Sequence, residues 1–233
     1  PQQMFGAMTK TYFAEKKGID PHNICCISIM PCVSKKREAA LSYMRSAGAG
    51  QDVDIVLTTR ELVRMIRAEH INPKFLKDQP FDSPLGESTG AGVIFGVTGG
   101  VMEAALRTAY AVVEGHNPDA DAFQAVRGEN GRREADFVLG DKTLHTCTVS
   151  GLGNAEKLMQ DIVKGKVNYD FVEVMACPGG CVGGGGQPIH DGCELAGSRG
   201  EKLYRLDSER ELRFSHENPE VKKAYEEFLG KPL

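Results

Sequence analysis

No stretch of the 233 residues approaches the roughly 18 consecutive apolar residues that a bilayer span requires. No block of lysine and arginine stands out either, and the formal net charge is −4. A phosphate backbone would therefore find no basic footprint, which leaves nucleic-acid recognition without electrostatic support. The opening Pro-Gln-Gln-Met lacks a charged n-region, an apolar h-region and an initiator methionine, so no secretory signal is visible and a fragment or processed piece is expected. Internal repeats and low-complexity segments are absent as well. The seven cysteines, Cys25, Cys26, Cys32, Cys147, Cys177, Cys181 and Cys193, cannot all be paired. An odd count in a chain of this length argues against a disulfide-stapled secreted scaffold and for metal-bound thiolates in a reducing compartment. What is present is ordinary globular material, 41% hydrophobic and 26% charged, enough for one large unit or two lobes.

The chain is organised around residues 173–188, Glu-Val-Met-Ala-Cys-Pro-Gly-Gly-Cys-Val-Gly-Gly-Gly-Gly-Gln-Pro. The apolar run 171–176 reads as a short buried strand that ends in a glycine-rich turn carrying Cys177 and Cys181. Glycine accepts positive φ and lets main-chain N–H groups approach a ligand closely. Such groups stabilise sulfur charge around an iron–sulfur cluster. A tight turn with two buried free thiols is the plainer alternative, but six glycines among residues 179–186 exceed what a turn needs.

In chain order, residues 2–17 have helical spacing, with Met4, Phe5, Met8, Tyr12 and Phe13 on one face, Gly18 as the stop and Pro21 blocking continuation. Residues 24–29 read as a buried strand in which Cys25 and Cys26 point to opposite faces as core fillers. At its carboxyl end, where ligands collect in α/β sheets, comes Met-Pro-Cys-Val-Ser-Lys-Lys-Arg-Glu at 30–38. A helix starting near Ser34 puts Lys35 one turn beyond Cys32 and Glu38 one turn further. A cation beside a thiol favours the thiolate, and of Lys35 and Lys36 the spacing favours Lys35 as the inward one. A strand at 53–57 runs into Thr58-Thr59-Arg60-Glu61, a capping box for a helix ending near Glu69. Prolines 73, 80 and 84 mark a loop and the expected lobe boundary near 89, giving lobes at 1–89 and 90–233.

The glycines of 90–100 superficially suggest a dinucleotide fingerprint. Their spacing is G-x-G-x-x-x-G and no strand leads in, so that reading is rejected. A helix at 101–114, with Ala105, Ala109 and Val112 on its stripe, ends at Gly115. Strands are predicted at 123–126, 135–139 and 144–149, with Cys147 in the core and His145 on the surface, followed by a helix at 155–163. Cys193 follows the glycine loop in a polar stretch, where a fourth ligand is the less favoured reading. A peripheral helix with Leu203 and Leu206 lies in 198–214, and a tail helix at 220–229 turns Tyr225 and Leu229 inward.

The motifs at 30–38 and 173–188 resemble the second and third signatures of iron–iron hydrogenases, M-P-C-x-x-K-x-x-E and E-x-M-A-C-x-x-G-C-x-x-G-G-G-Q-P, and both match in full. The resemblance extends through 54–66, 90–107, 126–135 and 215–232. It implies an α/β fold of two lobes with parallel or mixed sheets flanked by helices and the active site in the cleft between them. It implies an H-cluster: a 4Fe–4S cubane joined through a cysteine sulfur to a di-iron unit with CO, cyanide and a dithiolate bridge. On matching positions, Cys32, Cys177 and Cys181 look like cubane ligands, Cys181 the shared one, and Lys35 looks like the donor to a cyanide. Met30, Met175 and Phe95 look like an apolar wall, while Pro1 and Gln2 match a segment lining the di-iron pocket.

The implied activity is reversible interconversion of two protons and two electrons with H2 by heterolysis at the di-iron site. The implied partners are ferredoxin or another redox subunit, NAD(P) in some members, and maturation proteins. The implied compartment is the cytoplasm, with the periplasm left open. The family's first signature, T-S-C-x-P, which supplies a fourth ligand and a proton-relay cysteine, is not in the sequence. The isolated chain is therefore expected to be inactive. Three rival readings are a hydrogen-sensing relative, an iron–sulfur assembly protein without a di-iron unit, and a structural zinc site. The last is disfavoured because zinc knuckles use C-x₂-C spacing, and the lysine of the Met-Pro-Cys motif favours hydrogenase over assembly protein.

Overall fold

The computed structural model describes residues 1–128 and 131–230. They form two compact units: residues 1–87 with 185–190 and the closing segment from 219, and residues 88–184 with 191–218. Both units mix strands and flanking helices, one sheet parallel and the other mixed, the α/β class expected.

The first unit opens with a continuous helical run: α1 (Gln2–Met8), a π-helical turn (Thr9–Phe13) and α2 (Ala14–Lys17), closed by Gly18 at φ 64°. Its buried face is not the expected Met4–Phe5 stripe, for both of those side chains are exposed. Gln2, Gln3, Gly6, Lys10, Tyr12 and Ala14 are buried instead. Two local constraints set this rotation. A Cβ at Gly6 would lie 2.4 Å from the carbonyl oxygen of Asp52. Lys10 is 2% exposed and donates to Asp54 Oδ1 at 2.9 Å and to the Gln51 carbonyl at 2.5 Å.

Strands β1 (Ile27–Met30) and β2 (Ile55–Thr58) pair in parallel, Ile27 opposite Ile55 and Met30 opposite Thr58. Beside them Ala39, Val53 and Val56 pack with Cys26 and Met30. The strand expected from residue 24 begins only at Ile27, because Cys26 N–H is taken by Asp54 Oδ2 at 2.7 Å. Cys25 is exposed and is not a core filler. Short helix α3 (Ser34–Ala39) follows β1, and α4 (Thr59–Ala68) follows β2. The capping box is present in both halves: Thr58 Oγ1 accepts the Glu61 N–H at 3.2 Å, and Glu61 Oε2 accepts the Thr58 N–H at 2.8 Å. These backbone and hydroxyl donors, with Lys36, hold the Glu61 carboxyl down at about 2.

The second unit begins with α5 (Gly90–Ile94) and α6 (Gly100–Glu114). No strand leads into Gly90 among the described residues, as the rejected fingerprint requires. On α6 the buried positions are Gly100, Met102, Glu103, Ala104, Leu106 and Arg107, while Val112 is exposed. An ion-pair cluster displaced the expected alanine–valine stripe. Residues 124–126 form a 3₁₀ turn rather than a strand, and Val126 joins Met102, Leu106 and Phe123 in a core cluster. Strands β3 (Arg132–Leu139) and β4 (Lys142–Ser150) form an antiparallel hairpin. Helix α7 (Leu152–Val163) then carries the chain to β5 (Phe171–Met175), which pairs in parallel with β4. Strand β5 lies at the sheet edge with Phe171 and Val174 exposed, so it is half-buried rather than buried.

Helix α8 (Ala196–Ser208) presents Leu203 and Tyr204 to a core of Ile94, Val97, Val182 and Ala196, while Leu206 is exposed. The chain returns to the first unit as α9 (Pro219–Ala224) and a π-helical turn (Tyr225–Leu229). There Ala224 is buried and Leu229, expected inward, is exposed.

The ion-pair cluster is the heaviest electrostatic feature of the second unit. Arg107, Glu103 and Asp207 are each 0% exposed. The Arg107 guanidinium donates to Glu103 Oε1 at 2.7 Å and to both Asp207 oxygens at 3.0 and 2.8 Å. Arg127 and Arg213 complete it against Glu103, Asp207 and Asp121, three cations facing three carboxylates. Burial pushes the Asp207 carboxyl up, but Arg107 and Arg213 more than offset it and hold it below the usual carboxylate range.

Removing one partner from such a set leaves uncompensated buried charge, so Arg107→Met should cost about 3–5 kcal/mol in urea unfolding; a loss under about 1 kcal/mol would show the cluster to be dispensable. Because the folded pKa of Asp207 is depressed, its contribution is complete above the unfolded value near ~3.9 and is lost as pH falls through the folded one. Arg107→Met should therefore flatten the acid limb of the stability curve. For Glu61, carboxyl NMR titration should give a midpoint near 2, and an ordinary value near ~4.3 would contradict the capping geometry.

Candidate metal centre

Strand β5 delivers Met175, partly buried, to the edge of the β4 register at Ser150. Two residues later Cys177 begins a tight turn whose Gly180 N–H returns to the Cys177 carbonyl at 3.0 Å. Cys181 opens a 3₁₀ turn (Cys181–Gly183). Both thiols are partly buried, neither sealed in a core nor fully exposed.

The loop is bonded to the second unit at several points. Ser150 Oγ accepts the Gly179 N–H at 2.9 Å and donates to the Cys177 carbonyl at 3.3 Å. Thr98 N–H reaches the Gly179 carbonyl at 3.3 Å, and Val182 N–H reaches the Gly96 carbonyl at 2.9 Å. Arg199 donates to the Val182 carbonyl at 3.0 Å. Gly180 has φ 90°, and a Cβ there would sit 2.8 Å from the Thr98 nitrogen. Glycine is thus required by the approach of the protein's own backbone, a nearer cause than freedom to wrap a ligand. Phe95, at the C-cap of α5, is partly buried beside Gly96.

Cys32 lies in the first unit, just past β1 and two residues before α3, and is also partly buried. Lys35 Nζ donates to Glu38 Oε2 at 2.5 Å with its side chain 29% exposed. Lys36 instead serves Glu61 at 2.9 Å and the Val56 carbonyl at 2.8 Å. Met30 ends β1, partly buried. Pro1 is exposed, whereas Gln2 is buried, accepting from Ser28 Oγ at 2.8 Å and donating to the Lys35 carbonyl at 3.5 Å. Residues 185–190 belong to this unit as well. Gly186 N–H bonds the Pro31 carbonyl at 2.9 Å, and a Cβ on Gly186 would lie 2.9 Å from the Cys32 nitrogen. The Arg60 guanidinium holds the Gly185 carbonyl at 2.9 Å and the Gln187 carbonyl at 3.1 and 2.9 Å.

Thiols are soft donors, and Cys177 and Cys181 in the second unit and Cys32 in the first, all partly buried, suit iron–sulfur chemistry better than hard cations. The Thr98 hydroxyl, beside the Gly179 contact, and both amide atoms of buried Gln3 have no hydrogen-bond partner among the described residues. Buried polar groups are seldom left so. Of the other cysteines, Cys26 packs against Ala39, Val53 and Val56, and burial pushes its thiol up. Cys147 is 0% exposed in a core with Val149 and Leu158, and burial pushes its thiol up. Cys25 and Cys193 are exposed. Among the described residues Glu103, Asp121 and Asp207 have ligand atoms within 4.8 Å of one another, but their arginine partners already neutralise them.

Sequence reasoning missed Ser150, Thr98, Arg60 and Glu173. The first three act on backbone atoms of distant residues, which no local pattern reveals. Glu173 stood in the motif without a role.

Residues 1–185 match the family described as iron only hydrogenase large subunit, C-terminal domain, and residues 194–233 match the iron hydrogenase small subunit. The chain is 49% identical, over 100% of its length and 40% of the relative's, to the NADP-reducing hydrogenase subunit HndD of Solidesulfovibrio fructosivorans. It is 30% identical, over 98% of its length and 49% of the relative's, to the cytosolic Fe-S cluster assembly factor narfl of Xenopus tropicalis. A variant of apo FeFe hydrogenase HydA1 from Chlamydomonas reinhardtii matches with TM-score 0.83 and 39% identity, covering 100% of this chain and 65% of that one. The chain spans 40% and 49% of these two curated relatives, less than half of either. By the match across residues 1–185, this chain belongs to the iron only hydrogenase large subunit family, within its C-terminal domain.

Proposed function

We propose that this chain is the H-cluster-binding part of an iron–iron hydrogenase, and that Cys32, Cys177 and Cys181 ligate its 4Fe–4S cubane. When bound, the cubane and its di-iron unit with CO, cyanide and a dithiolate bridge supply the redox chemistry that interconverts protons, electrons and H2. The observation that carries this reading is that each complete cysteine motif folds as a strand end running into a loop pinned by other residues, with its thiols left partly accessible.

The protein's share is binding, orientation and water exclusion. Deprotonated Cys32, Cys177 and Cys181 would be the anionic ligands, Cys181 shared with the di-iron unit. Lys35 would offer its ammonium to a cyanide. One of its three donors is engaged by Glu38, which orients the side chain and leaves the others available. Met30, Met175 and Phe95, with Pro1 and Gln2, would form the wall of the di-iron site. Electrons would come from ferredoxin, NAD(P) through a further subunit, or another redox subunit, and maturation proteins would deliver the di-iron unit. The compartment this reading favours is the cytoplasm, on the odd count of seven cysteines, with the periplasm left open; among the described residues no helix is long and apolar enough to cross a membrane.

The 30% identity to a cluster assembly factor makes assembly the second reading. Lys35 separates the two, since a charge-assisted donor to cyanide serves only a di-iron unit.

In the full-length enzyme Lys35→Ala should retain cubane iron but lose the infrared bands of CO and cyanide along with H2 evolution; unchanged activity would contradict its role. Cys181→Ala should abolish cubane binding while Cys193→Ala leaves iron content near wild type, and equal losses would mean that the ligand assignment is wrong. Stripping the iron should lower the melting temperature, because metal binding is coupled to folding. An apo protein that melts as high as the holo form would argue against ligation of this kind.

A further inference from the structure

The sequence places a carboxylate, Glu173, on the buried face of strand β5, four residues before Cys177. It is 6% exposed, and no lysine or arginine forms an ion pair with it among the described residues. An unpaired buried carboxylate is costly unless its oxygens are otherwise satisfied. Here they accept backbone donors, Gly99 N–H on Oε1 at 2.6 Å and Met102 N–H on Oε2 at 2.7 Å. Burial pushes the carboxyl up while these N–H groups pull the other way.

Those donors are orphans of the first turn of α6, whose own N-cap, Gly99, has no side chain to offer. Glu173 therefore caps a helix of 15 residues from a different element, where the helix dipole also favours negative charge. The segment it caps is bonded again just upstream: Gly96 accepts from Val182 and Thr98 donates to Gly179. Residues 96–102 thus grip the chain at Glu173 on one side of Cys177 and at Gly179 and Val182 on the other. Between those grips lie both cysteines of the motif.

We infer that Glu173 is a positioning residue for the iron–sulfur centre, setting the placement of Cys177 and Cys181 through the 96–102 turn without touching metal itself. This rests on the proposed ligation by those two thiols. A cap that served stability alone would have no bearing on how firmly or at what potential iron is held. Glutamine keeps the shape of the side chain, but its amide offers one acceptor and turns a donor toward a backbone N–H, so one of the two grips fails. Aspartate keeps the charge on a shorter arm.

The test uses full-length enzyme assembled anaerobically as wild type, E173Q, E173D and, as a control for lost stability, R107M. Release of cubane iron to a chelator and the cubane midpoint potential are measured. E173Q should release iron about tenfold faster than wild type, the scale of outer-shell changes at metal sites, and its midpoint should rise because a buried negative charge is gone. E173D should recover part of both effects, and R107M should leave the midpoint where it was. The inference is overturned if E173Q matches wild type in both readouts, or if E173Q and R107M accelerate release alike with no change in midpoint. A wild-type protein that takes up no cubane would overturn the proposed function itself, and this inference with it.

Discussion

Two backbone hydrogen bonds hold the part of this chain that matters most: Thr98 N–H to the Gly179 carbonyl and Val182 N–H to the Gly96 carbonyl. They join a turn at the start of α6 to a loop whose own regular structure is a single 3₁₀ turn, Cys181–Gly183. A buried backbone group left unpaired costs about 1–3 kcal/mol, so each bond restricts where the loop can go. Ser150 adds a hydroxyl that both accepts from Gly179 and donates to Cys177, linking the loop to the end of β4. The result is a cysteine pair placed by the scaffold. Preorganisation of this kind shifts the entropic cost of ordering the site from binding to folding.

The same constraint explains the glycines. Gly180 cannot carry a side chain because the Thr98 backbone fills the space, and Gly186 cannot because Pro31 and Cys32 do. Beside α6 the neutral cluster of three arginines and three carboxylates fixes its buried face, with Asp207 from α8 and Arg213 beyond it. A helix capped by a distant carboxylate and clamped by buried ion pairs has little freedom to move. Its N-terminal turn can then serve as a reference for the cysteine loop.

What could be read in the sequence was whatever a local pattern encodes. The capping box at Thr58, the stop at Gly18, the existence of strands β3 and β4, the burial of Cys147 and the two cysteine motifs all follow from neighbours in sequence. The faces of helices were misjudged where charge is buried. The inward side of α1 is set by Lys10 reaching Asp54, and that of α6 by Glu103 and Arg107; hydrophobic periodicity has no means of anticipating either. Cys25 was expected in a strand that Asp54 shortens by claiming the Cys26 N–H. The contacts that hold the cysteine loop were invisible because they are backbone and side-chain bonds between residues far apart in sequence. The ligand and Lys35 assignments came from the motif resemblance, and likeness of sequence alone does not separate hydrogenases from an assembly factor that is 30% identical to this chain.

The central claim is that three thiols, Cys32, Cys177 and Cys181, serve one iron–sulfur centre. Anomalous diffraction at the iron edge from crystals of the full-length, iron-loaded enzyme tests it most directly. The account predicts a single cubane with all three sulfurs in its coordination shell and Cys193 outside it. Iron bound by Cys177 and Cys181 with Cys32 unliganded would contradict it.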